Sequence, residues 1–164
     1  MGTRNVAAEG AAPGIAIRVF LADGNDYFRV GLRDLLRSHD GIEVVGTCSD
    51  HREAPIEVAR LQPDVVVHDL TTPHVDADQA AALIRALSAF SRVILLSLNS
   101  TTEHVLHAID AGACGYLLKN GAAEEIVEAV RAVHGGRLYL SRRIADLLAG
   151  EYLRHAPSRA TRLH

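Results

Sequence analysis

Asp23, Asp69, Ser97 and Lys119 are the residues whose types and placement could do chemistry together. Each ends an apolar run: IRVFLA before Asp23, VVVH before Asp69, RVILL before Ser97 and GYLL before Lys119. Two carboxylates, a hydroxyl and an ammonium converging on one edge would form a small charged cleft. Asp23 and Asp69 together suit Mg²⁺, a hard cation that uses one or two carboxylates plus waters and phosphate oxygens. If Asp69 accepted a phosphoryl group, the cation and Lys119 would offset its charge and Ser97 could donate a hydrogen bond to it. The plainer alternative, that each acid only terminates a strand or caps a helix, is the better reading of any one position. Four in the right order favour the cleft.

The runs that carry these residues alternate between strand and helix. Residues 17–22, 42–47, 64–70, 92–97 and 115–119 read as short, mostly apolar strands, of which the β-branched 64–70 is the strongest. Between them, helical spacing predicts one-sided helices over 26–38, 51–61, 76–89, 101–111 and 122–134. Pro63 is expected to end the second and Gly112 the fourth. Five strands alternating with five helices imply an α/β fold, a doubly wound five-stranded parallel sheet with helices on both faces. Such sheets bind ligands outside the carboxyl ends of their strands, where the four residues lie. A further helix is expected in 137–154, with Ile144, Leu147, Leu148 and Tyr152 as its apolar stripe. It could pack back on the domain, lead to another domain, or pair with a second chain. The expected organisation is a flexible arm over 1–15, a domain over 16–136, the linker helix, and a flexible tail over 155–164.

Composition narrows the class. The chain has 164 residues, enough to bury a core as one domain. It is 48% hydrophobic and 23% charged, as soluble globular proteins are. A net charge of −3 gives no electrostatic reason for the body of the fold to bind nucleic acid. No apolar run is long enough to cross a bilayer, and the N-terminal segment lacks the hydrophobic stretch of a signal peptide. Cys48 and Cys114 lack CxxC spacing and read as reduced core residues of a cytoplasmic protein. His68, His74, His104 and His107 have no tight ligand spacing, so a zinc site carries little weight.

IRVFLADGNDYFRVGLRDLL, PDVVVHDLTTP, RVILLS and AGACGYLLKN resemble, in order and spacing, the receiver domain of two-component response regulators. The NarL/LuxR-type subfamily is the nearest likeness, over about residues 16–154. The resemblance implies a flavodoxin-like receiver fold with Asp69 as phospho-acceptor. It implies a metal site of Asp23, Asp69 and the backbone carbonyl of Thr71, and a switch set of Ser97, Tyr116 and Lys119. It also implies a signalling protein rather than an enzyme, a histidine kinase as phosphate donor, and DNA contact only through a C-terminal domain outside this chain. A piece of a longer transcription factor is the favoured reading, with a stand-alone receiver that modulates a partner protein as the alternative.

Several positions depart from the family pattern. Gly24 stands where a second acid is usual, so Mg²⁺ binding is expected to be weakened. Loss of one charge beside a divalent cation is worth roughly several kcal/mol at short range. Asp26 is expected to cap the first helix rather than replace that acid. Leu98 is bulkier than usual beside Ser97, and Ala77 and Thr72-Pro73-His74 are unusual around the acceptor loop. The reading is therefore an atypical receiver with slow or absent phosphorylation, whose output rests on dimerisation, on a partner regulator or on a small ligand. Tyr27 and Val30 lie partly off the buried stripe of the first helix and could pair with a second chain, a homodimer or a heterodimer with another regulator. They could equally broaden the buried face.

Overall fold

The computed structural model describes residues 15–70 and 77–156. Among them the elements run β1 (Ile17–Ala22), α1 (Asp26–Arg37), β2 (Ile42–Cys48), α2 (Ala54–Leu61), β3 (Val65–Asp69) and α3 (Ala77–Ser88). They continue as β4 (Arg92–Ser97), α4 (Thr102–Ala111), β5 (Ala113–Leu118), α5 (Ala123–His134), β6 (Tyr139–Leu140) and α6 (Arg142–His155). The sheet is wholly parallel in the order β2-β1-β3-β4-β5-β6, so the doubly wound reading holds. Its strand count needs correcting from five to six. β6 has two residues, too few for periodicity to register, and it forms only by pairing Gly115 with Tyr139 and Tyr116 with Leu140.

Continuous β-branched runs make the central strands fit for burial on both faces, and Val65 to Asp69 is buried throughout. One core layer joins Val19, Leu21, Val65 and Val67 to Leu36 of α1 and Val130 of α5. The other joins Phe20, Val66 and Leu95 to Val58 of α2, Ile84 of α3 and Val105 of α4. α6 packs back: Ile144 is buried in the second layer, and the helix contacts β5 and α4. Gly46 lets the second layer close. A Cβ there would stand 2.8 Å from Leu61 Cδ1 and 3.1 Å from the Phe20 ring.

Local chemistry sets the helix ends. Gly112 closes α4 in the left-handed region at φ 119°, as its position predicts. Gln62, also left-handed, ends α2 one residue before Pro63. α2 starts at Ala54, three residues later than its apolar spacing suggests, with Pro55 in the first turn where its missing N–H costs nothing. The expected cap of α1 is corrected. Asn25, in extended conformation, accepts the Phe28 N–H at 3.0 Å, whereas Asp26 lies inside the first turn and pairs with Arg29 at 2.7 Å. An asparagine one residue upstream is as good a cap as an aspartate, so spacing alone could not choose between them.

Candidate functional site: an acidic corner held by a lysine

β1, β3, β4 and β5 end on the same edge of the sheet, so Asp23, Asp69, Ser97 and Lys119 meet there. Asp23, Asp69 and Ser97 are all buried. Lys119 crosses from the end of β5 with its side chain 9% exposed, and its Nζ stands 2.8 Å from Asp23 Oδ2 and 3.4 Å from Asp69 Oδ2. The contact with Asp23 Oδ2 is an ion pair outside hydrogen-bonding angles; the hydrogen bond goes to Oδ1 at 3.1 Å. The ammonium also lies 4.4 Å from the centroid of the Phe28 ring, so an aromatic face covers part of its charge.

Asp23 is engaged on several sides. Its Oδ1 accepts the Asn25 N–H at 2.8 Å, and its backbone carbonyl accepts from Arg29 Nη1 at 2.7 Å. One carboxylate thus joins the end of β1, the start of α1 and the end of β5. Phe28 and Arg29 were missed as site residues. Phe28 reads in sequence only as a core-stripe position, and an Arg inside an amphipathic helix carries no signal of its own.

Gly24 faces open space towards the β2–α2 turn. A Cβ there would meet nothing closer than the Ser49 carbonyl at 3.5 Å, an ordinary contact. A Cβ at this position is therefore not excluded by packing. Gly24, Ser49, His51 and His68 line a small concavity together with Asp23 and Asp69. His68 donates through Nδ1 to the Asp69 carbonyl at 2.8 Å, which leaves Nε2 as a buried acceptor with no hydrogen-bond partner among the described residues. Burial first of all lowers its pKa, to about 4, so the ring is neutral near pH 7. Burial likewise pushes the Cys48 thiol up to about 11, in keeping with an inert free cysteine.

The donor set fits Mg²⁺ in kind: two buried carboxylates supply hard oxygen ligands. It is sparse in number, because no group of three potential ligands forms among the described residues. Thr71, the expected carbonyl ligand, and Thr72-Pro73-His74 lie outside the described residues.

The switch candidates lie beside the corner. Ser97 Oγ donates to the Asn99 carbonyl at 2.6 Å. Tyr116 is buried, with its hydroxyl 2.6 Å from Ser100 Oγ. Leu98 is 46% exposed. On α1, Tyr27 is 93% exposed and Val30 40%, so neither belongs to the buried face of this chain.

Residues 19–131 match the response regulator receiver domain family. The transcriptional regulatory protein MctR of Rhizobium johnstonii is 35% identical over 136 residues, which cover 82% of this chain and 63% of MctR. The chain thus spans a little under two thirds of that relative's length. A LuxR-family two-component response regulator from Aurantimonas superposes with a TM-score of 0.76 at 30% identity, covering 84% of this chain and 99% of that one. The signal receiver domain of NarL from Mycobacterium tuberculosis does so at 0.66 and 34%, covering 74% and 98%. With its parallel α/β sheet and an acidic corner at the strand ends, this chain belongs to the response regulator receiver domain family, of the NarL/LuxR type.

Proposed function

We propose that this chain is the regulatory receiver of a cytoplasmic transcription factor whose acceptor Asp69 is phosphorylated weakly or not at all. DNA contact would belong to a further domain, and output would run through pairing with a second receiver. The observation that carries this reading is the corner itself: two carboxylates where three are usual, with Lys119 already against both.

In a fully equipped receiver, Mg²⁺ offsets the charge that develops as phosphate is transferred to the acceptor. Here Asp23 and Asp69 are the described side chains that would hold it. To serve a cation, Asp23 must share a carboxylate already engaged by Lys119 and by the Asn25 N–H. Lys119 is placed to contact both Asp69 and any group the acceptor carries. Ser97 would have to leave the Asn99 carbonyl to donate towards Asp69. Tyr116 is already buried, with its hydroxyl against Ser100, which supports an inward aromatic held by the chain's own contacts. A histidine kinase or a small phosphodonor would face a weak acceptor, and dimerisation through Tyr27 and Val30 of α1 would carry more of the output.

Titration with Mg²⁺, then with beryllofluoride, followed by amide NMR, tests the reading. The expected result is no saturation at ordinary millimolar Mg²⁺, and at least about tenfold tighter binding in Gly24→Asp, which restores one charge beside the ion. Saturation of the parent chain at those concentrations would overturn it.

A further inference from the structure

A cavity of about 190 Å³ opens between α3 and α4, with Ser97 and Tyr116 forming part of its lining. An apolar cavity of about 150 Å³ accommodates benzene, so this one suits a single substituted aromatic ring. Leu70, Ala81, Ile84 and Ala108 give it an apolar wall. The exposed residues Asn99, His104 and His107 also line it, which places their polar groups at its open side.

The hydrogen-bonding state of these groups points to the kind of ligand. The two deeper hydroxyls are taken: Ser97 donates to the Asn99 carbonyl and Tyr116 pairs with Ser100. The side chains of Asn99, His104 and His107 make no hydrogen bond to any described residue, and each carries N–H donors. No described lining residue bears a carboxylate. A cationic head would therefore find no counter-charge, whereas an anionic, acceptor-rich head meets no like charge. It can be faced by the Asn99 amide N–H and by the donor nitrogen of each imidazole, once the amide and the ring tautomers turn their acceptors away. Apolar walls with a few convergent polar groups are the general form of a small-molecule site.

We propose that the α3–α4 cavity binds a small aromatic carboxylic acid, with its ring against Ala81 and Ile84 and its carboxylate facing Asn99, His104 and His107. Because Tyr116 and Ser97 form part of the lining, occupancy would bias the same two residues that phosphorylation is thought to move. The proposal does not depend on whether Asp69 is phosphorylated, and its test uses neither Mg²⁺ nor a phosphodonor.

The test is an amide NMR titration of the chain with benzoate, with toluene as the ring lacking the acid. Saturable shifts at residues lining the cavity are expected for benzoate, with toluene at least about tenfold weaker. Ala81→Leu, which fills the cavity, should weaken benzoate by about tenfold, and Asn99→Ala, an exposed change that leaves packing alone, by about threefold. Melting curves of both variants establish that they fold, and Asn99→Ala serves alone if Ala81→Leu does not. Absence of saturation, benzoate binding that neither variant alters, or equal binding of toluene would each overturn the proposal.

Discussion

At the scale of single residues, the corner is organised by Lys119 and Asp23 rather than by Asp69 alone. Lys119 spans both acids, and Asp23 ties three elements to one carboxylate, so the acidic corner also holds the fold together. His68 shows how burial sets chemistry. Its folded pKa lies near 4, against 6.5 for the free side chain. Below about pH 6.5 the unfolded chain takes up a proton that the folded chain refuses until about pH 4. This contribution is therefore complete above pH 6.5 and is lost as pH falls towards 4, by about 3 kcal/mol at most. Urea denaturation across that window should show the loss, and His68→Asn should flatten it. A slope unchanged by the substitution would assign the effect to other groups.

At the scale of elements, α1 and α6 are the informative helices. Asn25→Ala removes the oxygen that caps α1 and should cost about 1 kcal/mol. Asp26→Ala removes only an exposed pairing with Arg29 and should cost less than about 0.5 kcal/mol. Denaturant midpoints of the two variants separate the cap from its neighbour, and the reverse order would restore Asp26 as the capping residue. α6 was legible as a helix from its stripe, but whether it packed back was not. Ile144 on its inner face settles that by being 1% exposed. Ile144→Ala should destabilise the chain by about 3 kcal/mol in the same assay, as a buried truncation does. A negligible cost would mean that α6 is only loosely attached.

At the scale of the whole molecule, the two faces of the sheet have different surroundings. α1 and α5 cover one face, and Tyr27 on α1 is exposed, where in the proposed pairing it would meet a second receiver. Aromatic residues are over-represented where protein surfaces meet. Tyr27→Glu should leave monomer stability within about 0.5 kcal/mol, because an exposed side chain is altered. It should weaken self-association by about tenfold in sedimentation equilibrium. Unchanged sedimentation would remove α1 from the pairing surface. The other face is covered by α2, α3 and α4, with α6 beside α4, and it contains the cavity next to Tyr116.

The sequence by itself determined the alternation of strands and helices, the parallel sheet and the four strand-ending residues. These follow from period, punctuation and residue type, which are local properties. Tertiary structure decided the rest. β6 exists only because Tyr139 and Leu140 find β5, and Asn25 caps because α1 begins one residue earlier than a helix capped by Asp26 would. Phe28 covers Lys119 because β5 ends beside α1, across 91 residues of chain separating 28 from 119. The α3–α4 cavity has no sequence signature, since a void is a property of how neighbouring side chains fail to fill space. Gly24 lies between the two cases: its lack of a side chain is written in the sequence, but only the structure shows that a Cβ there would make no more than an ordinary contact with the Ser49 carbonyl.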